Sequence, residues 1–168
     1  MTLPPPDSAL GKMMGQFPRV GRVEWIGLRP GRAQPMRVVR EAAAITAKGL
    51  HGDRYAGGSG KRGVTLIQAE HLPVIASLSG NDFVPPSLLR RNVVISGIAV
   101  IALKGRRFRI GPVLLEGIDA CEPCSQMEAA LGVGGYNAMR GHGGLCARIV
   151  EGGTFALGDS VLAVPVDE

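Results

Sequence analysis

The sequence predicts a mainly β fold, a closed or partly closed β-barrel with a few short helices. The 168-residue chain contains 25 glycines and 12 prolines, a density typical of many short strands joined by tight turns. Between these residues lie roughly eight short runs rich in β-branched and apolar side chains, and only two or three segments have helical spacing. Short strands in this number close readily into a barrel.

The candidate elements follow one another without an internal repeat or a linker. Strands are expected at residues 21–30, within 36–50, at 64–67, at 92–98, within 100–119 and within 145–164. Helical spacing occurs at 68–78, 85–90 and 124–131, and a glycine-rich loop is expected at 132–144. Residues 1–19, which are rich in proline, are expected to form a disordered or extended tail before a single domain at 20–168.

Charge and composition narrow the classes of function. The formal net charge is +5, but the basic residues are spread along the chain and no nucleic-acid-binding motif is present, so no nucleic-acid partner is expected. An excess of arginine beside glycine-rich loops favours a small anion such as phosphate.

The longest uncharged apolar run, residues 93–103, is too short to span a bilayer, so no membrane association is expected. Three cysteines without a secretory signal predict reduced thiols and a cytoplasmic location.

The glycine-rich loop at residues 51–63 departs from a phosphate-binding P-loop. In AGGSGKR (56–62), the first glycine of the GxxxxGK pattern would fall on Tyr55, and Arg62 replaces the Ser or Thr that holds Mg²⁺. Two interpretations remain: a loop that presents Arg54, Lys61 and Arg62 to an anion, or a mobile hairpin tip.

All three cysteines lie between residues 121 and 146, and three interpretations are open. The spacing Cys121-x2-Cys124-x17-His142-x3-Cys146 matches a structural zinc site. Cys121 and Cys124 also form a CxxC pair, but the strand–helix–strand pattern of a thioredoxin-like protein is missing. Cys124 directly precedes a helical segment, where the helix dipole and free N–H groups favour a thiolate. Such a thiolate is a nucleophile or a soft metal ligand, and the lack of a nearby histidine in sequence favours the ligand.

Six motifs occur in an order that covers residues 20–164, nearly the whole chain. They are KGLHGDRYAG (48–57), LIQAEHL (66–72), RRNVVISGI (90–98), LKGRRFRIGPVLLEG (103–117), EPCSQMEAALG (122–132) and ARIVEGGTFALGDSV (147–161). This ordered series resembles the MOSC domain, the C-terminal domain of molybdenum cofactor sulfurases. The resemblance implies a β-barrel with a few short helices that binds the molybdopterin form of molybdenum cofactor.

The resemblance also implies roles for individual residues. Cys124, in the P-C position, matches the family cysteine that is the protein ligand of molybdenum in related amidoxime-reducing enzymes. The phosphate of the cofactor is expected to lie beside Asp53 and Arg54 of the GDR motif and Arg91 and Asn92 of the RRN motif.

The chain departs from the larger members of this family. It is expected to lack the pyridoxal-phosphate region with its Schiff-base lysine and the additional β-rich domain of the amidoxime-reducing proteins. Because it also lacks a ferredoxin-like cysteine series, electrons are expected from a flavoprotein or an iron–sulfur protein. The leading hypothesis is therefore a molybdenum-dependent reductase of N-hydroxylated or N-oxygenated compounds.

Two alternatives remain open. The first is a non-catalytic carrier of sulfur, or of sulfurated molybdenum cofactor, that works with a cysteine desulfurase. The second is a zinc-stabilised structural domain held by Cys121, Cys124, His142 and Cys146.

Overall fold

Ten β-strands and five short helices make up the computed structural model, which describes residues 2–55 and 58–165. The strands are β1 (Gly21–Leu28), β2 (Arg37–Val39), β3 (Glu41–Ala44), β4 (Val64–Gln68), β5 (Val93–Ser96), β6 (Arg107–Ile110), β7 (Val113–Ala120), β8 (Leu145–Glu151), β9 (Gly153–Ala156) and β10 (Ser160–Ala163). The helices are α1 (Ala9–Met14), α2 (His71–Ser79), α3 (Pro86–Leu89), α4 (Ser125–Leu131) and α5 (Gly135–Met139), and a 3-10 turn spans Val100–Leu103.

Seven of the strands close into a barrel, which confirms the predicted fold class. The order of neighbours is β10-β6-β7-β8-β4-β5-β1, and β1 pairs with β10 to complete the ring. The neighbouring pairs are antiparallel except for β4 and β5, which are parallel. Strand β2 extends the sheet beside β1, while β3 and β9 form a separate two-stranded sheet.

Two segments differ from the sequence-based expectation. The expected disordered or extended tail contains α1, which begins where the Ser8 hydroxyl accepts a hydrogen bond from the Gly11 N–H (3.0 Å). Phe17, also in that segment, packs against the barrel core. The expected loop at 132–144 contains α5, whose Ala138 and Met139 are buried. The domain boundary near residue 20 stays a prediction, and residues 1, 56–57 and 166–168 lie outside the described part of the chain.

Two hydrophobic clusters lie on opposite faces of the barrel wall. One fills the barrel and includes Val64, Leu66 and Val93, while the other lies outside the wall and includes Ile67 and Val94. The outer cluster is completed by buried side chains of α2, α3, α4 and α5. Because β4 is covered on both faces, all five of its residues are buried, including the polar Thr65 and Gln68. Among the described helices, none has the length and apolar character needed to cross a membrane.

A row of residues crosses five neighbouring strands and places several polar groups side by side. Asn92, just before β5, accepts a hydrogen bond from Gly27 N–H of β1 (2.7 Å) and donates one to the Thr65 carbonyl of β4 (2.9 Å). Thr65 is paired with Cys146 of β8, and Cys146 with Asp119 of β7. Since side chains alternate along a strand, Thr65 and Cys146 face outward, between residues that fill the barrel. This row underlies the candidate site.

Two glycines bring the chain segments of this region into contact. A Cβ on Gly144 would lie 1.8 Å from the Leu66 carbonyl oxygen, and a Cβ on Gly143 would lie 2.1 Å from the Cys121 carbonyl oxygen. Only a residue without a side chain lets the entry to β8 lie this close to β4 and to the end of β7. The glycines near the cysteines therefore serve close backbone packing.

Gly144→Ala and Gly141→Ala form a matched pair that tests this role. Both glycines have positive φ (+96° and +79°), but a Cβ on Gly141 meets no atom within 4 Å. We expect Gly141→Ala to lower the free energy of unfolding by about 1 kcal/mol, from the positive φ alone. Gly144→Ala should lower the free energy of unfolding by about 3 kcal/mol or more, because the steric clash with the Leu66 carbonyl adds to the effect of the positive φ. Urea denaturation measures both values, and equal losses would show that the contact at Gly144 is unimportant.

Candidate functional site

A cleft of about 370 Å³ on the outer face of the barrel gathers basic side chains from distant parts of the sequence. They come from the segment after β1, the loop before β4, and the turn between α3 and β5. Among the described residues, six arginines line the cleft, against one carboxylate, that of Glu122; the arginines are Arg29, Arg32, Arg54, Arg62, Arg90 and Arg91. Basic residues that are scattered in the sequence thus form one positive surface, which is suited to an anion.

Arg29 is held at this cleft by a buried network. The Asp53 side chain has no exposed surface, and it accepts hydrogen bonds from Arg29 Nε (3.1 Å) and Nη2 (2.9 Å). It also accepts from the backbone N–H groups of Arg29 (2.7 Å) and Tyr55 (3.1 Å) and from Asn92 Nδ2 (3.1 Å). Burial raises the pKa of Asp53, but the hydrogen bonds from Arg29 outweigh it and keep the pKa below its ordinary value.

Asn92 extends the same network beneath the cleft. Its Oδ1 accepts from the Thr65 N–H and hydroxyl (both 3.1 Å), and its Nδ2 donates to the Gly27 carbonyl (3.0 Å) as well as to Asp53. Asn92 is completely buried. Two of the residues predicted to bind cofactor, Asp53 and Asn92, therefore lie under the cleft, where they fix the position of Arg29.

Arg90 and Arg91 use their guanidinium groups to hold backbone carbonyls. Arg91 is 7% exposed and donates to the carbonyls of Gly143 (2.8 Å), Leu89 (2.9 Å) and Cys121 (3.2 Å). Arg90 donates to the carbonyls of Gln34 (2.6 Å) and Gly31 (3.2 Å). The pKa of Arg90 is lowered first by burial and then by the charges of Arg29 and Arg54, which shows how closely the cations are crowded.

Arg32, Arg54 and Arg62 are exposed at the cleft. The guanidinium groups of Arg32 and Arg54 have no hydrogen-bond partner among residues 2–55 and 58–165, so both are available to a ligand. Arg54 is thus the predicted cofactor-binding residue that is exposed at the cleft. Sequence reasoning assigned no role to Arg29 or Arg32; Arg29 carried one signal, its position at the end of the strand predicted at residues 21–30.

Cys124 lies at the rim of the cleft, where its position agrees with the predicted helix start. It is the exposed N-cap residue of α4, in an extended conformation (φ −133°, ψ 178°), and it follows the buried Pro123. Cys124 also lines an adjoining cleft of about 490 Å³ together with Tyr55, Arg62 and Cys146. One exposed thiol therefore faces two connected recesses.

Cys121 and Cys146 form a buried thiol pair beside this exposed thiol. They are 2% and 3% exposed, and they lie near each other because the Cys121 N–H donates to the Gly144 carbonyl (2.8 Å) at the entry to β8. A hydrogen bond from Cys146 lowers the pKa of Cys121 to about 6; burial opposes this shift, and the charges of Arg91 and Arg62 favour it. The same hydrogen bond, with burial, raises the pKa of Cys146. The Cys121 thiol is therefore the more acidic member of the pair.

The zinc site that the cysteine and histidine spacing suggested is not formed. Within the described residues, no group of three or more His, Cys, Asp and Glu side chains is arranged to hold a metal ion. His142 instead packs edge-on against the ring of His71, with 5.0 Å between ring centroids, and its Nδ1 lies 3.3 Å from the Ala138 carbonyl.

The ionisation of Cys121 can be measured from the ultraviolet absorbance of its thiolate. In a Cys124→Ala background, we expect one thiolate to form with a midpoint near pH 6. Adding Cys146→Ala removes the hydrogen bond and should raise that midpoint, while adding Cys121→Ser should abolish the transition.

The same ionisation links stability to pH. Because the pKa of Cys121 falls from 9.0 to about 6 on folding, its contribution to stability should be complete above pH 9 and lost as the pH falls through 6. A midpoint near 9 in the Cys124→Ala protein would contradict the assignment.

Solved structures share this fold at low sequence identity. The YuaD protein from Bacillus subtilis superposes with a TM-score of 0.75 at 17% identity, covering 87% of this chain and 97% of that protein. YiiM from Geobacillus stearothermophilus superposes with a TM-score of 0.71 at 14% identity, covering 86% and 75% of the two chains. YiiM from Escherichia coli superposes with a TM-score of 0.67 at 19% identity, covering 86% and 70%.

Family membership comes from the sequence comparison. No curated protein matches the chain in sequence. The family model of the MOSC domain, however, matches residues 52–162, about two thirds of the chain. That range includes Asp53, Arg54, the RRN segment and Cys124, and the predicted resemblance is confirmed. The chain belongs to the MOSC domain family.

Proposed function

We propose that the protein binds molybdenum cofactor in its molybdopterin form, with Cys124 as the protein ligand of the metal. In this proposal it reduces N-hydroxylated or N-oxygenated compounds with electrons from a flavoprotein or an iron–sulfur protein. The observation that carries the proposal is the position of Cys124: its exposed thiol lies at the rim of a cleft lined by six arginines.

The residues of the cleft fit the chemistry of this cofactor. A thiolate is a soft ligand suited to molybdenum beside the dithiolene sulfurs of the pterin. The phosphate of the cofactor needs cations, and the exposed Arg32 and Arg54 can bind its oxygens through guanidinium groups. Arg29, held in place by Asp53, adds a third fixed charge. Cations at one part of the cleft and a soft thiol at its rim match the two ends of such a ligand.

The chain orients these groups before any ligand arrives. The buried Asp53 and Asn92 fix Arg29, Arg90 holds the carbonyls of Gly31 and Gln34, and Arg91 holds the carbonyls around Cys121. Donors fixed in advance bind a developing or resident charge without the cost of ordering them. When bound, the cofactor would supply the oxygen-atom-transfer chemistry that removes oxygen from an N–O group.

The adjoining cleft gives a substrate a second approach to the same thiol. It is lined by Tyr55, Lys61, Asp119 and Pro123, in addition to Cys124. Its mixture of apolar and charged groups suits a small, polar, N-hydroxylated compound. Phosphate binding on the arginine side would leave this approach open.

Molybdenum and pterin analysis of Cys124→Ala tests the ligand role. The protein should be purified from a host that makes the cofactor, with the wild type and Ser125→Ala prepared in parallel. Ser125 is the exposed residue next to Cys124 and makes a matched control. We expect molybdenum with pterin in the wild type and in Ser125→Ala, and loss of most of the molybdenum in Cys124→Ala.

Reduction of hydroxylamine and of an N-hydroxylated base, with a reduced viologen as artificial electron donor, tests the reaction. Activity should accompany molybdenum in the wild type and in Ser125→Ala. Full activity in Cys124→Ala would contradict the ligand role. A wild type that carries molybdenum and pterin but reduces neither compound would contradict the proposed reaction while leaving cofactor binding intact.

Transfer of sulfur is a second candidate function, favoured by the grouping of the three thiols. Cys124 and Cys146 line the same cleft, and Cys121 lies beside Cys146. As a carrier, the Cys124 thiolate would attack the terminal sulfur of a persulfide on a cysteine desulfurase. The sulfur–sulfur bond of that persulfide would break, the desulfurase would leave as its thiolate, and Cys124 would hold the persulfide.

Mass spectrometry after incubation with a cysteine desulfurase and free cysteine tests this candidate. We expect a mass gain of one sulfur atom on Cys124, because it is the exposed thiol. The gain should disappear in Cys124→Ala and persist in Cys121→Ser. An unmodified wild-type protein, with a desulfurase shown to be active on a known acceptor, would eliminate the carrier function.

A further inference from the structure

We propose that a separate cleft, between the N-terminal segment and the end of β10, binds an organic acid that joins a carboxylate to an apolar body. This N-terminal cleft has a volume of about 580 Å³ and is bounded by residues 6–20 and 162–165, together with Ile98 and Arg106. Among the described residues, it shares no lining residue with the two clefts at Cys124. The proposal is therefore independent of the proposed function.

Arg106 is the residue that points to a ligand. It is 8% exposed, and its buried Nε has no hydrogen-bond partner within the described part of the chain. Its backbone is fixed just before β6: the Arg106 N–H donates to the Leu103 carbonyl (3.1 Å), and its carbonyl accepts from the Gly117 N–H (2.9 Å). Its Nη1 lies 4.0 Å from the point where a Cβ on Gly15 would stand, so the guanidinium reaches the α1 side of the cleft.

Among the described residues, the surroundings of Arg106 supply no compensating negative charge. The charged residues lining the N-terminal cleft are Lys12, Arg19 and Arg106, all cationic. Glu116 lines a smaller adjoining cleft with Arg106, but its carboxylate is paired with Arg148. A buried guanidinium without an anion is unfavourable, and an anion that reached Arg106 would remove that cost.

The remaining walls define the rest of the ligand. They are largely apolar and include Phe17, Ile98, Leu162 and Val164. A bare inorganic anion would leave these side chains against water, whereas an apolar body would cover them. The planar guanidinium fork matches the two oxygens of a carboxylate, and the volume lies within the usual range for small-molecule sites, about 300–1,000 Å³. These features together favour a carboxylate with a hydrocarbon or aromatic body.

The end of the chain is the competing source of a carboxylate. Pro165 lines the cleft, and the sequence continues through Val166 to Asp167 and Glu168, outside the described residues. The test therefore uses both the full chain and a variant that ends at Pro165. Saturable binding to either form supports the site, and its absence from both would overturn the proposal.

Calorimetric titration with octanoate measures the binding. Acetate keeps the charge without the apolar body, and octanamide keeps the body without the charge. We expect saturable binding of octanoate, with acetate and octanamide each weaker by about tenfold or more. Octanamide that binds as tightly as octanoate would overturn the role of the charge.

Variants locate the binding at this cleft. Arg106→Met should lower the affinity for octanoate by about tenfold. It should not lower the melting temperature, because it removes a buried charge that lacks an anionic partner among the described residues. Lys12→Gln and Arg19→Gln, at exposed positions, should each lower the affinity for octanoate by a smaller factor. These two variants locate the binding site if Arg106→Met does not fold. Arg22→Gln, an exposed residue of the neighbouring β1, is the matched control and should not change the affinity. Unchanged affinity in all the cleft variants would overturn the proposal.

Discussion

The buried Asp53 carboxylate is the group on which the geometry of the arginine cleft depends. Removing a carboxylate from water is unfavourable unless its oxygens are fully hydrogen-bonded, and Asp53 accepts five hydrogen bonds. Those bonds, with Asn92 alongside, join the end of β1, the loop before β4 and the start of β5. Removing one partner of such a buried pair typically costs about 3–5 kcal/mol, so Asp53 and Arg29 depend strongly on each other.

Six arginines around one cleft repel one another. The structure reduces this repulsion by pairing the inner arginines with protein groups and exposing the outer ones to water. The three inner ones are tied to protein groups: Arg29 to Asp53, and Arg90 and Arg91 to backbone carbonyls. The pKa of Arg90, lowered by burial and by its cationic neighbours, reflects the repulsion that remains. The outer arginines are exposed to water, where their charge is screened until a ligand displaces that water. Repulsion among cations in the free protein becomes attraction for an anion.

The barrel and the helix start at Cys124 could be predicted because they depend on local sequence. Glycine and proline mark the ends of the strands, and a proline followed by a cysteine and an apolar-periodic segment marks the start of α4. Helix α5 could not be predicted in this way. It lies in a glycine-rich segment of low helix propensity, and the burial of Ala138 and Met139, with packing of the helix on α2 and α4, stabilises it. Tertiary packing, which the local pattern does not contain, decides that element.

The candidate site was predictable only as a set of motifs, because roles depend on contacts across the barrel. Asp53 and Arg54 are adjacent in the sequence, yet Asp53 is buried and holds Arg29 in place, while Arg54 is exposed at the cleft. Arginine shows the same division: Arg91 is buried and donates to three carbonyls, while Arg106 is equally buried and its Nε has no partner among the described residues. Residue type and burial are the same in these two cases. The hydrogen-bond partners of the guanidinium therefore distinguish a structural arginine from one that is suited to bind a ligand.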